Sequence, residues 1–267
     1  MFLEIILFFI IGTALGSFSL VLAWRMHDKK DWVRGRSACE DCNHVLSADD
    51  MIPMISWLAL RGKCRYCKKP LSKQLLYAEL LLGTVLTISW VFWPYDSNNL
   101  ATQGLFVLWA ISLVIMSALF WYDLRWYTLP NKLVYPLISV GILYRINAWI
   151  LEGFKLYESI IMPILAISLI SGLFFVLYKI SNGKWIGFGD VRLGFALGLF
   201  IGNPLLAWVM IFFASVFGIL FALPGIVSGK TGLKTKIPFG PLLILATYIV
   251  VLFGQKILDM YLGFVGV

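Results

Sequence analysis

Eight strongly apolar runs dominate the chain, most of them long enough to cross a membrane as a helix. They cover Phe2–Trp24, Leu75–Trp93, Leu105–Tyr122, Leu133–Leu151, Ile160–Ile180, Val191–Ile201, Leu205–Ile226 and Pro241–Leu262. A helix of about 20 apolar residues crosses the hydrocarbon layer; the sixth run is shorter than that and glycine-rich. Only 13% of residues are charged and 60% are hydrophobic, too little charge to cover a globular surface of this size. The surplus apolar surface faces lipid. The pattern predicts an all-α polytopic membrane protein with about eight transmembrane helices. The first run has no basic stretch ahead of it, so residues 1–24 read as a retained first span rather than a cleaved leader. One long polar insert, residues 25–74, separates spans 1 and 2. Residues 75–267 hold the remaining seven.

Basic residues orient such a bundle, because loops on the cytoplasmic side retain Lys and Arg. With both termini outside, all but Arg145, Lys155 and Lys256 of the 22 Lys and Arg lie on the inner side. The reverse orientation inverts the bias. The net charge of +8 is therefore a membrane-surface feature, attracting anionic lipid, and no nucleic-acid partner is expected.

The same parity puts Asp123, at the end of span 3, and Asp190, at the start of span 6, at one depth on the inner side. Two neighbouring carboxyl groups cannot both ionise easily, so one serves as base and the other as acid, the arrangement that activates water against a peptide bond. Gly187 and Gly189 beside Asp190 allow a tight turn and close approach of a substrate chain. Acids at helix ends are also ordinary interfacial residues, and spacing alone does not separate the two readings. Asp96 and Asp259 fall on the other side. Glu4 reads as interfacial, and Glu79 as a satisfied interhelical hydrogen-bonding residue. Asp190 opens a helix and Asp123 closes one; the helix-end fields then assign the shared proton of a resting pair to Asp123.

All four cysteines lie in the insert as Cys39-x-x-Cys42 and Cys64-x-x-Cys67. Paired knuckles at this separation suit a tetrahedral zinc ion, making the insert zinc-ribbon-like, and a metal would hold together a segment with little core. Free thiols and a redox pair are the other readings of the same cysteines. His44 reads as a knuckle-surface residue and His27 as a solvated linker residue.

Several segments together resemble the type IV prepilin peptidases, the GxGD-type membrane aspartyl proteases that act as prepilin leader peptidase/N-methyltransferases in pilus, competence and type II secretion systems. They are GSF at Gly16–Phe18, GRSACEDCNH, IPMISWLALRGKCRYCKKPLS, DLRWYTLPN, GFGDVRLG and IPFGPLL at Ile237–Leu243, in the family's order over nearly the whole chain. The resemblance implies that Asp123 and Asp190 are catalytic and that Cys39, Cys42, Cys64 and Cys67 bind zinc. It also implies cleavage of the basic leader of prepilins or pseudopilins at the cytoplasmic face of the inner membrane, then S-adenosylmethionine-dependent methylation of the new N-terminus. Three positions depart from the family pattern: Arg192 replaces a lysine, Leu20 an asparagine, and Leu75-Leu76 a tyrosine-proline pair. The last two lie in the region associated with methylation, and no glycine-rich nucleotide fingerprint after a strand is visible. The alternatives are a peptidase without methyltransferase activity and a non-enzymatic scaffold or transporter with a zinc-ribbon docking module. A transporter would place its ionisable groups nearer the midplane.

Overall fold

A computed structural model describes residues 2–31, 35, 37–39, 41–95, 99–151, 153–228 and 237–265. Asp96, Arg34, Arg36, Lys230, Lys234 and Lys236, used above for topology, lie outside these residues. Nine α-helices are present among the described residues: α1 Phe2–His27, α2 Ile55–Ala59, α3 Lys73–Val91, α4 Leu100–Trp126, α5 Asn131–Leu151, α6 Met162–Ser181, α7 Phe188–Ile201, α8 Pro204–Val227 and α9 Phe239–Val265. A 3₁₀ turn at Ala48–Met51 precedes α2, and a π turn at Tyr157–Ile161 runs into α6. The only β pairing among the described residues is two isolated bridges, Ala38–Val45 and Lys63–Pro70. The chain is all-α, as its apolar runs predict.

Among the described residues, seven helices are long and apolar enough to cross a membrane: α1, α3, α4, α5, α6 with its π turn, α8 and α9. The sixth apolar run forms the exception. Helix α7 has 14 residues, about 21 Å at 1.5 Å per residue, against a hydrocarbon thickness of about 30 Å. It is buried almost all round, at Val191, Leu193, Gly194 and every residue from Ala196 to Ile201, as a helix apolar on all faces must be. Its C-terminus is closed by Gly202, in the left-handed region at φ 65°, and by Arg145, whose Nη2 donates to the Phe200 carbonyl at 3.0 Å. A cation there complements the negative end of the helix.

The chain divides into two compact units, residues 1–93 with 113–118, and residues 94–112 with 119–267. In the first, α1 and α3 pack against each other through small residues. A Cβ on Gly12 would lie 2.7 Å from Gly83 Cα, and one on Gly16 would press into the Ala78 carbonyl. Lipid supplies no hydrophobic drive between helices, so close backbone approach of this kind is what holds them together. The Gly-Ser-Phe motif thus has a packing role at its glycine.

In the second unit, helix ends are set by local chemistry. Asn99 and Asn203 accept the Ala101 and Leu205 N–H groups at 3.0 and 2.8 Å, starting α4 and α8. At the far end of α4, Tyr127 adopts the left-handed conformation and donates its N–H to the Asp123 carbonyl at 2.8 Å. The chain then turns through Leu129 and Pro130 into α5.

Candidate functional site

The end of α4 and the starts of α7 and α9 meet at one level. Asp123 lies in the last turn of α4 and is 5% exposed. Its Oδ2 accepts the Gly240 N–H at 3.0 Å, and Gly240 is the second residue of α9. Asp190 is the third residue of α7, and its Oδ2 accepts the Gly187 N–H at 3.1 Å, the side-chain-to-backbone half of a capping box. The two carboxyl groups are near enough to interact electrostatically. Both aspartates singled out in the sequence are therefore brought together, each anchored by one glycine N–H.

This level also explains how a 14-residue helix keeps the topology in phase. Helices α7 and α9 both start beside the aspartates, so α7 and α8 form an out-and-back pair despite the shortness of α7. The arrangement removes the helix-end ground on which the proton was assigned to Asp123. Asp123 closes α4, but its carboxyl group faces the N-terminus of α9, just as Asp190 faces that of its own helix. The difference in helix-end field on which the assignment rested is levelled.

Three residues that sequence reasoning did not assign to the site help to build it. Gly240 carries no room for a side chain: a Cβ would lie 2.7 Å from Asp123 Oδ2 and 3.3 Å from Leu129 Cδ2. Leu129 also lies against Gly189, whose Cβ would sit 3.1 Å from Leu129 Cβ. One leucine thus separates the glycine beside Asp190 from the glycine bonded to Asp123. Arg192 donates to Asn131 Oδ1 and lies over the Phe188 ring at 4.6 Å, tying the first turn of α7 to the start of α5. The local signal for Gly240 was its place between Phe239 and Pro241 at a helix start, which does not reveal a contact to Asp123.

In the other unit the four cysteines converge. Their Sγ atoms all lie within 4.8 Å of one another, and Cys39 and Cys67 are 3.8 Å apart. Zn–S bonds of about 2.3 Å at tetrahedral angles require sulfurs about 3.8 Å apart. A disulfide requires about 2.05 Å, and all four cysteines are free. The cluster fits a metal ion.

Two matching hairpins build it. Cys39 N–H donates to His44 O and Asn43 N–H to Cys39 O; likewise Cys64 N–H donates to Lys69 O and Lys68 N–H to Cys64 O. Asn43 and Lys68 hold the corresponding left-handed positions, φ 54° and 59°. The Cys67 backbone N–H, helped by that of Tyr66, faces the Cys64 sulfur and outweighs its burial, pulling that thiol down to about 7. Cys67, although the Lys69 N–H faces it, is pushed up to about 11 by burial and the neighbouring sulfurs. Ion pairs Lys69–Asp41 at 2.8 Å and Arg65–Asp50 at 2.6 Å tie the second hairpin to the rest of the insert. His44 packs its ring on Tyr66 at 3.6 Å between centroids, consistent with a surface role rather than a ligand's.

Glu79 is 3% exposed and accepts the Met54 N–H at 2.7 Å, with the Ser17 hydroxyl of α1 near its carboxyl group. The bond it makes to the insert was not expected from the sequence.

Two family models match in succession: the bacterial peptidase A24 N-terminal domain over residues 10–93 and the type IV leader peptidase family over residues 110–223. The first spans the cysteine cluster, and the second spans both aspartates. The chain is 34% identical to a prepilin leader peptidase/N-methyltransferase of Stutzerimonas stutzeri over 85% of its own length and 75% of the relative's. For the proteins of the same description from Aeromonas hydrophila and Pseudomonas aeruginosa the identity is 32%, covering 85% and 86% of this chain and 74% and 76% of theirs. No solved structure matches the chain. With seven membrane-length helices, both halves of the family's architecture in order and relatives matched over three quarters of their length, the chain belongs to the type IV leader peptidase family of multi-pass membrane peptidases.

Proposed function

We propose that Asp123 and Asp190 are the catalytic pair of this peptidase, acting at the cytoplasmic face of the inner membrane with both termini outside. It cleaves the leader of prepilins or pseudopilins and methylates the new N-terminus, the two activities named for its relatives. The observation that carries the assignment is the convergence of two carboxyl groups, Asp123 buried and Asp190 half-buried, each anchored by a glycine N–H from a helix start or the turn before it. One carboxylate takes a proton from water as its oxygen attacks the scissile carbonyl carbon. The other, protonated, hydrogen-bonds the carbonyl oxygen, and a proton passes to the leaving nitrogen as the C–N bond breaks. General acid–base catalysis of this kind is worth about 10²- to 10⁴-fold.

Residues 25–74 form a zinc module and 75–267 the membrane peptidase core. Cys39, Cys42, Cys64 and Cys67 hold zinc, which has a structural role: it closes the tetrahedron and leaves no open position for chemistry. S-adenosylmethionine is the methyl donor that the second activity requires. No strand feeding a glycine-rich turn occurs among the described residues, so methyl transfer carries no residue assignment here.

The test is cleavage of a full-length prepilin in vesicles supplied with S-adenosylmethionine by wild type, Asp123→Asn and Asp190→Asn, read by intact mass. Wild type is expected to yield leaderless, methylated product, about 14 Da heavier than the bare chain, the mass of the CH₂ that methylation of an amine adds. Either asparagine variant is expected to lose at least about 10² in rate. Unimpaired cleavage by either one refutes the pair.

A further inference from the structure

We propose that residues 51–60 of the insert lie in the bilayer interface, with Ile52, Ile55 and Leu58 in contact with acyl chains. The stretch MIPMISWLAL has Ser56 as its one polar side chain. Ile52, Ile55 and Leu58 are 43%, 64% and 57% exposed, although they belong to a unit with a well-packed helix pair. The Ile-Pro-Met-Ile-Ser-Trp motif has no part in the peptidase site or the cysteine cluster.

Depth fixes what covers this face. Met54 donates its N–H to Glu79 Oε2 at 2.7 Å. Glu79 lies six residues into α3 from Lys73, about 9 Å along the axis at 1.5 Å per residue. Helix α3, with 19 residues, is about 28 Å long, close to the ~30 Å of the hydrocarbon layer. The Met54 backbone is therefore held below the level at which α3 enters the membrane. Amphipathic segments at the interface bury their apolar face by about 5–10 Å, the same range. Tyr77, 55% exposed near the start of α3, supplies the interfacial aromatic of this level.

The backbone is prepared for such a place. Lipid offers no hydrogen bonds, so a non-helical segment at this depth must satisfy its own N–H groups. Met54 N–H goes to Glu79; Ile55, Ser56, Leu58 and Leu60 N–H go to the carbonyls of Pro53, Ile52, Met54 and Ser56 at 2.6–3.1 Å. Met54 holds φ at 60°, a position non-glycine residues seldom adopt, and the Glu79 bond fixes it there. Arg61 and Lys63 follow immediately, placed to carry their charges back to the headgroups. Lipid is favoured over a protein partner because the exposed face is continuous in depth with helix surfaces that already face lipid.

The experiment uses full-length protein reconstituted in phosphatidylethanolamine/phosphatidylglycerol vesicles. An environment-sensitive fluorescent amino acid is placed singly at Ile55, Leu58, Arg65 or Phe212, and each protein is checked for a wild-type thermal melt. Phe212 on α8 is 64% exposed and serves as the lipid-facing reference; Arg65 is the aqueous one. Brominated acyl chains are expected to quench the probes at 55 and 58 as they quench 212, and to leave 65 unchanged. Two independent positions guard against one labelled variant failing to fold. Probes at 55 and 58 that behave like 65 overturn the proposal. So do probes unquenched by lipid that respond to added prepilin, which would make the face a protein-docking surface.

Discussion

Gly240→Ala isolates the geometry of the aspartate pair without touching a carboxyl group. The substitution keeps the N–H that Asp123 accepts, and alanine favours a helix over glycine by about 1 kcal/mol, so backbone stability does not fall. What changes is space. The added Cβ would lie 2.7 Å from Asp123 Oδ2, while ordinary contact begins near 3.4 Å; the carboxyl group must move by about 0.7 Å, and Leu129 Cδ2 at 3.3 Å blocks an easy shift of the glycine itself. Misplacement of a reacting group by about 1 Å can cost about 10² in rate, equivalent to about 2.7 kcal/mol. The expected outcome is a fall in kcat of that order, with KM and the melting temperature close to wild type, measured by prepilin cleavage with intact-mass detection. Gly218→Ala is the control, since its Cβ would meet only Leu242 Cδ1 at 3.6 Å, and it should cleave normally. A Gly240→Ala protein that cleaves within a few-fold of wild type refutes the reasoning. Restoration of its activity by Leu129→Ala would show that Leu129 is what holds residue 240 against Asp123.

Other outcomes follow from the first unit. Glu79→Ala leaves the Met54 N–H without its acceptor and should destabilise by about 1–3 kcal/mol, whereas Glu79→Gln retains an acceptor and should lose less; thermal melts in detergent compare them. Gly16→Val forces a branched side chain into the Ala78 carbonyl and should cost about 1–3 kcal/mol, while Gly172→Ala, mid-helix in α6 with nothing within 4 Å of its Cβ, should stabilise by up to about 1 kcal/mol. Native mass spectrometry should find one zinc ion per chain, lost in Cys64→Ser, and a strong chelator should expose all four thiols to alkylation; thiols that react before chelation would argue against a closed site.

What could be read from the sequence was whatever repeats locally or follows parity. Seven of the apolar runs give membrane-length helices because each is long and contiguous, the short sixth gives α7, and Asp123 and Asp190 emerge because loop charges place both at one level. The knuckle spacing brings four sulfurs together because each pair closes its own hairpin. Contacts between distant segments were not legible. Gly240 lies against Asp123 across more than a hundred residues, and only folding shows that its missing side chain is the space the carboxyl group occupies. Nor does anything in α3 show that Glu79 reaches back to Met54. The helix-end ground for the proton assignment was incomplete for the same reason: it took account of the helix that carries Asp123 and not of the helix that faces it.

Leu129 has a consequence for how such a site can vary. Its side chain lies against both Gly189, next to Asp190, and Gly240, whose N–H Asp123 accepts, so an uncharged residue in a connecting turn stands between the backbone supports of two acidic groups on separate helices. A change of one methylene there would shift the spacing of those supports while leaving both acids and both anchoring amides intact. With the pair catalytic as proposed, its fit to a peptide bond is adjustable from a position that takes no part in proton transfer, and selection on substrate shape could act there without passing through an inactive intermediate.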